Sequence, residues 1–138
     1  MATRSTIAVE HADGTVSQIY SHWDGYIDHN GRILYESYNS QERAEALVAL
    51  GDISSLDRSI DKPEGHSFDS PASGCTVFYG RDRGEEGTEP NKFPNWKMFQ
   101  LSMQQEEYDY VFKGGVWLVS SYGRKWEELA SVISELAD

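Results

Sequence analysis

Residues 108–120 read Tyr108-Asp109-Tyr110-Val111-Phe112-Lys113-Gly114-Gly115-Val116-Trp117-Leu118-Val119-Ser120, two runs of strand-forming residues around a glycine pair. A two-residue loop between antiparallel strands favours positive φ at its central positions, which glycine adopts without steric cost. With Gly114-Gly115 as that loop, Phe112 pairs with Trp117 and Tyr110 with Val119. One face of the hairpin then carries Tyr108, Tyr110, Phe112 and Trp117, an aromatic surface large enough to nucleate a core and in need of a helix to cover it.

The segment that follows supplies one. From Lys125 to Ala137, Trp126, Leu129, Ile133 and Leu136 recur every three or four residues while Glu127, Glu128 and Glu135 face the other way. This spacing predicts that Trp126, Leu129 and Ile133 lie over Tyr110, Phe112 and Trp117, so that the two tryptophans share one core.

Ser5 to Trp23 reads as another hairpin, turning at Asp13-Gly14. With those two residues as the loop, Val9 faces Gln18 and Ile7 faces Tyr20. Ile7, Val9, Val16 and Tyr20 then share a face, with His22 on the Tyr20 side, and Ala8 and Ile19 take the other. Beyond Gly25 the apolar period becomes helical through Ile27, Ile33, Leu34 and Tyr38, predicting a helix over 28–38. A second helix is expected over 40–50, capped by Asn39 with Glu42 three residues on, burying Ala44, Leu47 and Val48 and stopped by Gly51.

Residues 57–74 are rich in turn formers and predict a long loop. Cys75 to Tyr79 reads as a strand, Gly80 to Pro94 as a charged loop, and Asn95 to Gln105 as a short helix. The expected architecture is α+β, one domain over residues 1–138, with an antiparallel sheet of about five strands and helices packed on one face.

Twelve basic residues against 23 acidic ones give a formal net charge of −11, which disfavours direct contact with nucleic acid or anionic membranes and reads either as a solubilising charge common to many cytoplasmic domains or as an acidic face for a basic partner. Cys75 is the one cysteine, so no intrachain disulfide can form. With no apolar stretch of signal-peptide or membrane-span length in the sequence, a cytoplasmic setting is expected.

His22-Trp23-Asp24-Gly25-Tyr26-Ile27-Asp28-His29 is the densest collection of functional groups, placed where a strand hands over to a helix. Carboxylate and imidazole together suit a divalent ion, but the spacing matches no zinc pattern, and no metal is expected. A second candidate is Arg81-Asp82-Arg83, set between two glycines after a buried strand. Guanidinium forks there suit a carboxylate or phosphate, or they pair with Asp82, Glu85 and Glu86 in a solvated turn. The expected binding site combines His22, Trp23, Asp24 and Tyr26 with Arg81, Asp82 and Arg83.

Nucleophilic chemistry has little support. Cys75 opens an apolar strand with no cationic neighbour in sequence, as a buried inert thiol would. His11 lies on the Ile7 and Val9 face in the assumed register and His66 falls in the long loop, neither with an evident carboxylate partner in sequence. No GxSxG, phosphate-binding loop or dinucleotide fingerprint occurs, and no catalytic residue or cofactor is expected.

Four stretches carry a resemblance: Thr3-Arg4-Ser5-Thr6-Ile7-Ala8-Val9, His22-Trp23-Asp24-Gly25-Tyr26, Leu50-Gly51-Asp52-Ile53-Ser54-Ser55-Leu56, and Tyr79-Gly80-Arg81-Asp82-Arg83-Gly84-Glu85. Together they resemble a family of small uncharacterised accessory proteins from tailed bacteriophages and prophages. The resemblance implies a setting in the host cell cytoplasm and no catalytic mechanism. Two functional readings follow. In the first, the protein inhibits a host or anti-phage defence protein by non-enzymatic binding through its acidic surface. In the alternative, it is a small-molecule binder for a nucleotide signal, or a metal-assisted hydrolase, built from the His22–Tyr26 and Arg81–Arg83 stretches.

Overall fold

The computed structural model describes residues 2–136. In chain order it contains β1 (Ser5–Glu10), β2 (Val16–Ser21), a π-helical turn (Ile27–Gly31), α1 (Arg32–Ser37), α2 (Gln41–Ala49), β3 (Ile53–Ser55), β4 (Val77–Phe78), α3 (Tyr79–Arg83), β5 (Asn91–Phe93), α4 (Trp96–Ser102), β6 (Tyr108–Lys113), β7 (Val116–Ser121), β8 (Glu127–Glu128) and α5 (Leu129–Leu136). The class is α+β, but the sheet is mixed and has eight strands, in the order β4-β3-β2-β1-β6-β7-β8 with β5 also on β2. The expected five-stranded antiparallel sheet is corrected at two places. β1 pairs with β6 in parallel, and β2 pairs with β3 in parallel. Parallel partners need long crossovers, so their pairing leaves no local turn signal in the sequence.

The Gly114-Gly115 hairpin has the expected register, with Phe112 opposite Trp117 and Tyr110 opposite Val119. Both glycines have positive φ, 62° and 87°. The first hairpin differs by one residue, because Ile7 faces Ile19 and Val9 faces Ser17. Here the Asp13 carboxylate accepts hydrogen bonds from the Thr15 amide (3.0 Å) and hydroxyl (2.6 Å), and the chain closes with His11 N donating to Thr15 O (2.8 Å). The loop therefore spans residues 11–15 between Glu10 and Val16. A one-residue slip exchanges the faces of the second strand. Ile19 joins Ile7 and Val9 in the main core, while Val16 joins Ala8 on the opposite face.

The main core lies between one sheet face and α1, α2, α5 and the π-helical turn, and contains Ile7, Ile19, Leu34, Leu47, Phe78, Tyr110, Phe112, Trp117 and Leu129. The other face is also covered. Phe99 of α4 packs with Ala8, Val16 and Val111 there, edged by Phe93, Trp96 and Trp126. Helices thus occupy both faces, which corrects the one-sided layer. It also separates the two tryptophans. Trp117 sits in the main core with its indole N–H on the Tyr38 carbonyl (3.1 Å), whereas Trp126 stacks near Phe99 across the sheet. Trp126 precedes an edge strand rather than lying inside the helix, and Leu129, Val132 and Ile133 reach the main core instead. The last residue of the expected helix, Ala137, lies outside the described residues.

The cap of α2 is Ser40 rather than Asn39, its hydroxyl accepting from the Arg43 amide (3.1 Å). Ser40→Ala should cost about 1 kcal/mol, the usual value of a serine N-cap, and Asn39→Ala much less. Comparing the two variants in urea denaturation checks the assignment.

A polar seam crosses the second face. Gln18 donates to the Thr6 hydroxyl (2.9 Å), which donates to the Asp109 carboxylate (2.6 Å). The same carboxylate accepts from the Glu106 amide (3.1 Å), so a buried charge site is built between β1 and β6.

Candidate functional site

The handover from β2 to the π-helical turn is held unusually firmly. Trp23 N donates to Ser54 O (3.0 Å) and Gly25 N to Thr3 O (2.8 Å), while the Tyr110 hydroxyl reaches Gly25 O (2.7 Å). Asp24 adopts φ +56°, a left-handed conformation that costs a non-glycine residue free energy. Gly25 is dictated by space, since a Cβ there would stand 2.6 Å from Ser5 Cβ. Buried Asn30 closes the corner from below, donating to the Ser21 and Ser5 hydroxyls (3.1 and 3.3 Å). A π-helical turn widens the backbone by one residue per turn and is frequent at functional sites.

On this locked frame two large aromatics are left open to water, Trp23 with 44% and Tyr26 with 40% of its surface exposed. His22 stands edge-on to Trp23 at 4.7 Å and is hydrogen-bonded through Nδ1 to the Tyr20 hydroxyl at 2.8 Å, which orients both rings. Rigid, exposed Trp and Tyr are the side chains that most often dominate protein-binding surfaces, because they contribute much area at little entropic cost.

The Arg81–Arg83 stretch has another geometry. It is a helical turn, not the expected loop, and the Asp82 side chain is wholly buried beneath it. Asp82 accepts from the Phe78 amide (2.8 Å), Arg81 Nε (2.9 Å) and His66 Nε2 (3.2 Å). Arg81 also donates to the Ile60 carbonyl and lies 4.6 Å over the Phe78 ring. The cluster anchors the 57–74 loop to the end of β4. Arg83 is half exposed, over the Phe68 and Tyr79 rings and paired with Glu85 at 3.3 Å. Among the described residues no hydrogen bond, ion pair or ring contact joins residues 22–26 with 81–83.

A third arrangement was invisible in the sequence. His11, at the start of the first hairpin's loop, approaches Glu45 of α2 through Nδ1 (2.5 Å) and Ser17 of β2 through Nε2 (2.9 Å). All three line a cavity of about 470 Å³ between α2 and β5. Ser17 and His11 are brought together only by the loop spanning 11–15, and Glu45 by the packing of α2 on β1 and β2. No spacing could have marked it. Cys75, expected to be buried, is partly exposed.

Among the described residues no three His, Cys, Asp or Glu side chains group as metal ligands do, and no helix is long and apolar enough to cross a membrane. No protein-family model, curated protein or solved structure matches the chain.

Proposed function

We propose that the protein acts as a phage accessory protein that binds and blocks a host or defence protein, with Trp23 and Tyr26 as its anchoring side chains and its negative charge selecting a basic partner. The observation that carries this reading is the pair of exposed aromatics on a backbone fixed by the Asp24 conformation, the Gly25 packing and the Asn30 hydrogen bonds. A surface fixed in its bound shape loses little entropy on association. The formal charge of −11 adds attraction to a basic surface, felt over about 8–10 Å at physiological salt. The nucleotide-binding alternative has less support, because Arg81 is already engaged by Asp82 and the Ile60 carbonyl.

The test uses the immobilised protein and lysate of a susceptible bacterium. A partner retained at low salt and released as salt rises should be captured at least 30-fold more weakly by a Trp23→Ala, Tyr26→Ala double variant, the loss of about 2 kcal/mol typical of an interface anchor. Its melting temperature should stay within a few degrees of the parent. Equal capture by the folded double variant would overturn the reading.

A further inference from the structure

We infer that Ser17, His11 and Glu45 form a nucleophilic centre able to hydrolyse small esters with an apolar acyl or alcohol part. This is a separate site from the aromatic corner.

The roles follow from the partners. An ionised carboxylate can only accept, so the 2.5 Å contact with Glu45 places the proton of His11 on Nδ1. Nε2 is left with a lone pair, 2.9 Å from the Ser17 oxygen, and accepts the hydroxyl proton. Carboxylate, imidazole and hydroxyl in this sequence are the arrangement by which an alcohol is activated at neutral pH, and the arrangement is defined by geometry rather than by position in the chain. The Ser17 residue is mostly buried, while the cavity of about 470 Å³ gives its side chain an approach.

The lining defines the substrate class. Val48, Ala49 and Pro94 offer an apolar wall, and Lys92 is the one cation among the cavity residues. Lys92 lies directly opposite Ser17 in the β2–β5 pair, so both side chains project from the same face of the sheet. As the one cation of the lining, it would supply the countercharge for an oxyanion developing beside Ser17.

In the step proposed, Ser17 Oγ bonds to the ester carbonyl carbon as its proton passes to His11 Nε2, and the carbonyl electron pair moves onto oxygen. Collapse of that oxyanion breaks the bond to the alcohol, which leaves with the proton from His11. Water repeats the sequence on the acyl-serine, releasing the carboxylic acid and restoring Ser17. Glu45 is a positioning residue that acts through His11 by fixing the imidazole tautomer.

The experiment treats the purified protein with an alkyl fluorophosphonate and maps the adduct by peptide mass spectrometry. One phosphonyl group on Ser17 is expected, with His11→Ala labelled at least 100-fold more slowly, the usual contribution of a general base. Glu45→Gln should be slowed at least tenfold and should also lose the low-field proton resonance of His11 Nδ1–H, which the parent should show. Release of p-nitrophenol from p-nitrophenyl butyrate should follow the same order. Because mapping is done on the parent protein, the outcome does not depend on any variant folding. An unlabelled Ser17, or labelling spread evenly over the other serines, would overturn the inference and leave the three residues as a tie between α2 and the hairpin.

Discussion

Asp82→Ala is expected to lower the stability of the protein by about 3–5 kcal/mol, the range found when one partner of a buried charge pair is removed. Its carboxylate is wholly enclosed, and three different segments donate to it: Arg81 from the same turn, the Phe78 amide from β4 and His66 from the 57–74 loop. Removing it leaves the Phe78 amide and the buried His66 imidazole without their acceptor and takes from Arg81 its carboxylate partner, though not its bond to the Ile60 carbonyl. For a chain of this size the melting temperature should drop by on the order of 10 °C or more. Arg83→Ala, by contrast, removes a half-exposed pair and should stay within about 0.5 kcal/mol of the parent. Burial by itself would raise the Asp82 carboxyl, but the hydrogen bonds from Arg81, Phe78 and His66 outweigh it and hold it below its ordinary 3.8. A carboxyl lowered in the folded state contributes stability above its unfolded pKa and loses it in acid. That part of the contribution should be lost as pH falls below about 4, and the gap between the urea midpoints of parent and variant should narrow there. If Asp82→Ala melts like the parent at pH 7, the loop is not held by this cluster.

Asp109→Asn should do the reverse and stabilise the protein at neutral pH. Burial between β1 and β6 pushes the Asp109 carboxyl up to about 6, more than the Thr6 hydroxyl and the Glu106 amide can offset. The folded state then keeps a proton that the unfolded chain releases from about pH 4 upward. Stability must fall as pH rises through the window from about 4 to 6, by about 3 kcal/mol in total. Asparagine keeps the oxygen that accepts from Thr6 and Glu106 and carries no charge to bury, so the variant should show no such slope. Urea unfolding at pH 4, 5, 6 and 7 should give parallel values for the two proteins at pH 4 and a variant markedly more stable at pH 7. A parent whose stability is flat across that window would show that Asp109 ionises without penalty.

How much of this was legible in the sequence depends on how local each feature is. Gly114-Gly115 admits a tight two-residue turn, and the register of β6 on β7 could be read residue by residue. Asp13-Gly14 has the same outward form, yet an aspartate that accepts from Thr15 builds a longer loop, and the faces of Val16 and Ile19 were exchanged as a result. The helical stripe of Leu129 and Ile133 was correct where it lay in a helix and misleading for Trp126, which precedes the edge strand β8. The His22–Tyr26 stretch could be singled out because its groups are contiguous. The His11–Ser17–Glu45 relay could not, since two of its members meet through the loop spanning 11–15 and the third through helix packing. Asp82 was legible as a member of the Arg81–Arg83 stretch, but its burial against His66, sixteen residues away, leaves no mark in the local sequence.

The position of β1 bears on how the protein is made. It is the first strand in the chain but sits inside the sheet, and residues 5–9 pair in parallel with residues 108–112. At synthesis rates of about 5–20 residues per second, roughly 5–20 seconds pass between the emergence of the two strands. Throughout that interval the hairpin of β1 and β2 carries one bare, apolar edge open to any other extended chain. Yield in a cell should therefore respond to translation speed and to chaperone supply more strongly than the equilibrium stability of the finished molecule would indicate.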